Sequence, residues 1–266
     1  MSGLARATQP GGNALRVTHR NLLVYRRTWR GSLFFSFLQP LLFLTAMGLG
    51  LGQLMGANDT SVLGGVPYPS FLAPGLLAAA CMQTAVFECS WPILSKIRWG
   101  RNYEAMLATP LNVDDVLFGE LAWMGVRVTT VSVAFLAIII AFGIATSPLA
   151  LLALPAAIVT GLGFSAAMIA FTATQQNDSG FTWVFRFVMN PLFLFSGVFF
   201  PVDRLPDAIE WVARATPLYH GAALVRGLVL GTIGPVPSVA HVGYLAAFLA
   251  AGVVIGRITL RRRMVK

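Results

Sequence analysis

The sequence predicts an all-α polytopic membrane protein with six transmembrane helices, and three observations carry that reading. The chain of 266 residues is 56% hydrophobic and 11% charged, against roughly 25% charged residues in ordinary soluble domains, and its mean hydropathy is +0.73. Six stretches, 33–54, 71–94, 116–142, 148–173, 181–200 and 239–258, approach or exceed the ~20 apolar residues that cross a hydrocarbon core. The basic residues fall in blocks at alternate junctions between those stretches, as topology signals do.

Those blocks set the orientation. Arg6, Arg16, Arg20, Arg26, Arg27 and Arg30 precede the first stretch, Lys96, Arg98 and Arg101 follow the second, and Arg257, Arg261, Arg262, Arg263 and Lys266 close the chain, while 58–69 and 146–148 carry no Lys or Arg. The positive-inside rule then places both termini in the cytoplasm, which an even number of spans requires. The formal net charge of +9 is therefore read as orientation, and no nucleic-acid partner is expected.

Residues 1–32 form a cytoplasmic N-terminal segment, and 33–266 a single transmembrane domain. No secretory signal pattern is present, because basic residues continue to Arg30. At 100° per residue Leu15, Leu22, Tyr25 and Trp29 gather on one side and Arg16, Arg20 and Arg27 on another. That is the pattern of an amphipathic helix lying in the membrane interface, with Arg toward anionic lipid.

The second stretch contains Cys81 and Cys89, about 12 Å apart by helical rise and too distant for a disulfide, so both are expected to be buried free thiols. It also contains Glu88, two turns before its inner end, while Arg127 lies about three turns inside the third stretch. Antiparallel neighbours bring the two to similar depth, and charges at that depth pair. A static bridge is the economical reading, since a proton relay needs more titratable groups along the path. Arg186 lies near a cytoplasmic end, where it snorkels.

Between these stretches runs GRNYEAMLATPLNVDDVLFGE. Helix formers from Arg101 to Ala108, a stop at Thr109-Pro110 and a cap at Asp114 or Asp115 predict a short helix across the cytoplasmic mouth. A plain connector between antiparallel spans needs only a few residues. Apolar Met106 and Leu107 beside Arg101 and Glu104 suit a surface that docks on something.

After the fifth stretch, Pro201 and Pro206 break the helix, and Asp203, Arg204 and Asp207 meet water. An amphipathic turn or two follows over 208–215, with Trp211 at the interface. The apolar run 218–230 is too short to span and reads as a helix dipping into the outer leaflet. The region 201–237, with Phe199, Phe200, Pro201, Pro206, Trp211, Tyr219 and His220, is thus the candidate outer gate.

Catalytic chemistry finds no footing. Ser165 and Ser196 lack the glycine spacing of a nucleophile elbow. His19, His220 and His241 are scattered along the chain between opposite membrane faces, and His220 beside Tyr219 is read as an interfacial polar residue. No metal-binding spacing is seen, so the catalytic, cofactor and metal sets are each empty. A P-loop needs GxxxxGK followed by Ser or Thr; the two lysines are Lys96, preceded by Ser95, and Lys266, the last residue of the sequence. The chain cannot hydrolyse ATP by itself.

The basic N-terminal helix, six spans, YEAMLATPL in the first cytoplasmic loop, and FLFSGVFFPVDRLPDAIEWVARATPLYHGAALVRGLVLG before the last span resemble the permease subunits of type-2 ABC exporters. The similarity covers essentially the whole chain. Its flavour is that of nodulation-factor exporters and daunorubicin-type drug-resistance permeases, in which FSG-x-x-FP-x-x-x-LP and P-L-x-H elements recur. The resemblance implies a permease pair, either a homodimer or a complex with a close paralogue, in the bacterial inner membrane. Two ATP-binding subunits would carry ATP and Mg, so the permease itself holds no cofactor. It further implies a coupling helix at about 101–111 seated on the ATPase, to which Arg101, Glu104, Met106, Leu107, Thr109 and Pro110 belong, and that the short outer helices close the extracellular side. The cargo class is amphipathic or lipophilic: a drug, a glycolipid or a lipo-oligosaccharide. An ion-coupled secondary transporter would instead work without an ATPase, and a non-transporting scaffold would not transport even with one.

Overall fold

The computed structural model describes residues 13–27, 38, 41–42, 45–46 and 66–264. The predicted first span falls almost wholly outside them. Among the described residues the chain is helical and turn only, without strands. In order it forms α1 (14–27), α2 (Tyr68–Cys89), α3 (Trp91–Arg98), α4 (Asn102–Leu107), α5 (Val113–Ala141), α6 (Ala153–Thr174), α7 (Ser179–Val184), α8 (Asn190–Phe195), α9 (Asp207–Arg214), α10 (Pro217–Leu230) and α11 (Pro235–Met264). A 3-10 turn at Pro148–Leu152 leads into α6, and a π-helical turn at Phe185–Met189 joins α7 to α8. Four helical runs among the described residues are long and apolar enough to cross a membrane: Tyr68–Arg98, Val113–Ala141, Pro148–Thr174 and Pro235–Met264.

Small residues bring these runs together. A Cβ on Gly161 would stand 2.7 Å from Val128 of α5, and one on Gly252 of α11 would stand 2.9 Å from Ala166 of α6. Such close approach between helix backbones is the packing device of apolar helices that gain nothing from burying Leu against lipid. The residue pairings fix direction. Cys81 with Gly161 and Cys89 with Thr172 make α2 and α6 parallel, Ala166 with Gly252 and Ala170 with Gly256 do the same for α6 and α11, and Cys81 with Ser132 and Glu88 with Arg127 set α5 antiparallel to α2. One end of the bundle therefore gathers α3, α4 and the start of α5. The opposite end gathers the starts of α2, α6 and α11 together with α10.

Two predicted spans are interrupted. The second breaks at Ser90, whose backbone leaves the helical region (φ −88°, ψ −101°) directly before Trp91-Pro92. Proline cannot supply a helical N–H, and Thr172 Oγ1 of α6 donates at 2.7 Å to the carbonyl of Cys89, the last residue before the break. The fifth ends at Phe195 rather than Phe200. Pro191 removes a helical donor there, the chain widens into the π turn just before it, and Gly197 at φ +74° turns the backbone away.

The helix α1 packs on a face that differs from its apolar stripe. Ala14, Val17 and Asn21 are buried and Tyr25 half-buried, whereas Leu15 and Leu22 stay exposed. The reason is Gly119 of α5, where an added Cβ would lie 2.5 Å from Val17 Cβ: only the small-residue edge of α1 fits so close. The predicted stripe of Leu15, Leu22, Tyr25 and Trp29 is thus split, Tyr25 turning to the protein and Trp29 lying outside the described residues.

Candidate functional site

At the α4 end the short helix Asn102–Leu107 occupies the predicted cytoplasmic loop. Arg101 precedes it in the left-handed region (φ 45°), and Thr109 Oγ1 donates to the Met106 carbonyl at 2.6 Å as the helix stops. Tyr103 anchors α4 from below at 2% exposure. Burial, with the Glu120 carboxylate alongside, raises its hydroxyl well above the usual tyrosine range.

Of the residues expected to dock, Arg101, Glu104, Thr109 and Pro110 are exposed, and Arg101 lies 3.8 Å from Glu104. Met106 and Leu107, expected with them on the docking surface, are half-buried and also pack against the core. The helix is only six residues long, so the apolar side that carries Tyr103 takes Met106 and Leu107 with it. The apolar contact left on the surface is Trp99, 68% exposed, which the sequence reading missed because it lies just upstream of the predicted helix.

Behind α4 a set of charges binds elements far apart in sequence. Lys96 Nζ of α3 meets Glu120 of α5 at 2.7 and 2.8 Å, and Asn21 of α1 donates to the same carboxylate at 3.1 Å. One step deeper, Arg127 Nη2 and Nε donate to Glu88 Oε1 at 2.8 and 3.2 Å, and Arg127 Nη1 donates to Tyr25 Oη at 3.0 Å. The predicted pair thus meets, with α1 as a third participant. The two bridges lie on either side of the Ser90 break, so α2 and α3 are each clasped to α5, one on each side of the bend.

Asp114, proposed as a cap, serves otherwise: its carboxylate, 2% exposed, receives Arg257 at 2.6 and 2.8 Å and Arg261 at 2.8 Å. The cap is Asn112, in a reciprocal box with Asp115, whose Oδ2 accepts from the Asn112 amide at 2.9 Å. The Asp115 Oδ1 takes the Asn13 amide at 3.1 Å, tying the start of α1 to the start of α5.

At the opposite end the candidate gate residues divide into two groups. Phe199, Phe200 and Pro201 are half-buried on the bend after α8, with Phe199 edge-on to Phe193 at 4.9 Å. Ser196 Oγ lies 2.9 Å from Thr216 Oγ1, the N-cap of α10, so the bend is tied to α10, which carries Tyr219 and His220. Pro206 and Trp211 stand apart and exposed, Trp211 at 76%.

Two partners here escaped the sequence reading. Arg226, inside a run taken as apolar, donates from Nε to the Phe71 carbonyl at 2.9 Å and from Nη2 to Gly197 and Val198 at 2.8 and 3.3 Å, and it covers the Phe71 ring at 3.7 Å. The rule that flagged Glu88 and Arg127, a charge within an apolar run, would have flagged it too. The histidines are also not all scattered: His220 Nδ1 lies 2.8 Å from His241 Nδ1. Because α10 turns back at Gly231 into α11, both residues fall on facing sides of one helical hairpin.

Comparison with known proteins places this geometry in context. The family model described as ABC-2 type transporter matches residues 14–230. Nodulation protein J of Rhizobium leguminosarum bv. trifolii is 33% identical over the full length of both chains. Nodulation protein J of Rhizobium meliloti (strain 1021) is 30% identical over 96% of this chain and 95% of its own. The inner membrane transport permease YadH of Escherichia coli (strain K12) is 23% identical over 80% of this chain and 82% of its own.

Proposed function

The chain belongs to the ABC-2 type transporter family, and from that premise we propose that it is the membrane subunit of a bacterial exporter driven by ATP hydrolysed on a separate subunit. Membrane subunits of this family are not themselves enzymes, and the family implies an ATP-binding partner. The observation that carries the reading is α4. It is a short helix held on a buried tyrosine, displayed at the basic end of the bundle, and wired through Lys96–Glu120 and Arg127–Glu88 into two spans.

In this reading the spans number six, the described four joined by residues 33–54 and by the α7–α8 run, and both termini are cytoplasmic. Two copies, or one with a close paralogue, pair with two ATPase subunits that carry ATP and Mg. Trp99, Arg101, Glu104, Thr109 and Pro110 form the docking face, with Met106 and Leu107 supporting it from beneath. The bend 196–201 and helices α9 and α10 shape the outer gate, and the cargo is an amphipathic or lipophilic molecule such as a drug, a glycolipid or a lipo-oligosaccharide.

The test is a pair of variants in the purified complex, Trp99→Ala and Glu104→Lys. Truncating an interface tryptophan commonly costs about 2 kcal/mol, so ATPase binding should weaken by roughly tenfold or more, and transport with it, while the permease remains folded in the membrane. Wild-type affinity and transport in both variants would end the assignment.

A further inference from the structure

We propose that His220 and His241 form a two-imidazole site for a borderline divalent transition-metal cation, Zn²⁺ in the first instance, that pins α10 to α11. The inference goes beyond the transport reading and rests on it only for the side from which the metal arrives. The geometry is that of a chelate short of its ion. The two Nδ1 atoms are 2.8 Å apart and belong to different helices. Zn²⁺ bound to histidine nitrogens at about 2.0–2.1 Å, with tetrahedral angles, needs those nitrogens about 3.3 Å apart, so the rings need part by only about half an ångström.

The surroundings are those that metal-binding histidines use. A ligating imidazole is oriented by a hydrogen bond from its other nitrogen to a carbonyl or carboxylate. The Arg214 backbone at the end of α9 lies close enough to His220 to favour its protonated form. The His220 ring is stacked on Tyr244 at 3.8 Å and 18°, and Tyr244 Oη is itself held by the Ala215 carbonyl. Tyr219 closes the third side, edge-on to both rings. Both histidines are half-buried, so an ion and its completing waters reach them from the surface.

A proton is the rival occupant, and the site disfavours it. Among the described residues no carboxylate faces the pair, and burial followed by the neighbouring His241 pushes His220 down to about 4. At neutral pH both rings are neutral; in the hydrogen-bonded pair one Nδ1 carries the proton, and moving it to that ring's Nε2 turns both lone pairs to an ion without displacing a proton from the protein. Imidazole nitrogen suits Zn, Cu and Ni rather than Mg or Ca.

The experiment is a thermal-stability titration of the purified full chain with zinc chloride, and with magnesium chloride as the hard-cation control. Zinc should raise the melting temperature in a concentration-dependent way, as any ligand of the folded state does, and magnesium should not. His220→Ala and His241→Ala should each abolish the shift. His241→Asn retains an amide near the Nδ1 position, so it should preserve most of the metal-free stability and still lose the zinc response, which separates a chelate from a hydrogen-bonded latch. No zinc shift at millimolar metal, or a shift that survives either alanine variant, overturns the proposal. Because the ATPase plays no part in this readout, its failure leaves the exporter reading standing.

Discussion

The two ends of the bundle are held by different physics. Toward the α4 end, Lys96–Glu120, Arg127–Glu88 and Asp114 with Arg257 and Arg261 join four elements by charge, and among the described residues every ion pair between separate elements lies there. At the α10 end the contacts are one guanidinium on three backbone carbonyls, two imidazoles, and aromatic edges; its one ion pair, Arg214–Glu210, is internal to α9. A buried charge fixes its partner, since separation strands both in a poor solvent. Carbonyls and neutral rings exchange partners at lower cost. The difference suits a machine that receives force at one end and opens at the other.

The largest expected effect breaks the charged end. Glu120 is 3% exposed and Lys96 18%, so Glu120→Ala strands a buried ammonium, at about 3–5 kcal/mol. Adding Lys96→Met to it should restore a good part of that loss. A double-mutant cycle on thermal unfolding in detergent reads the coupling. Strictly additive, small losses would show that the pair contributes little and that the contrast between the ends is superficial.

Next in size is Arg226, the device that most resembles a charged brace at the softer end. Hydrogen bonds to charged groups are worth about 1.5–3 kcal/mol each, less whatever the carbonyls recover from water. Arg226→Met keeps the stem over Phe71 and should cost about 2–3 kcal/mol, while Arg226→Lys, a point donor, cannot bridge Phe71, Gly197 and Val198 together and should rescue less than half. Limited proteolysis at 203–207 should accelerate in the methionine variant. Equal stability and unchanged cleavage would mean that the bend is held by Ser196–Thr216 alone.

The same contrast explains what was legible in the sequence. Four of the six predicted spans, the short α4, α10 as a helix of its own, and the meeting of Glu88 with Arg127 follow from run length, proline position and depth, quantities that a one-dimensional reading carries. The boundaries of α2 and α7–α8 did not follow, because Ser90 and the π turn depend on how a neighbouring hydroxyl or a displaced carbonyl absorbs a missing proline donor. Met106 and Leu107 are half-buried beside Tyr103, and nothing in six residues tells which side of α4 meets the core. The face of α1 was hidden for a related reason: Gly119, a hundred residues away, selects Ala14 and Val17 over Leu15 and Leu22. His220 and His241 became neighbours through the Gly231 turn, a tertiary fact that spacing along the chain obscured.

The smallest expected effect is a pH dependence confined to the softer end. In the folded protein His220 is held down to about 4 from an ordinary 6.5, first by burial and then by His241. The groups that face it are His241 and Tyr244 from α11, Tyr219 from its own helix and the Arg214 backbone from α9, with no carboxylate among them. A depressed histidine favours the neutral ring in the fold, so as pH falls the unfolded chain takes up the proton first and gains from it. The contribution is fully present above pH 6.5 and is lost progressively as pH falls toward about 4. His220→Asn removes the titrating ring, so the difference in melting temperature between wild type and variant, measured without metal, should narrow or reverse across that window. Carboxylates elsewhere titrate equally in both proteins and cancel in the difference. A difference that stays flat from neutral pH to about 4 would place the His220 ring in water rather than against α11, and the hairpin would need another clasp.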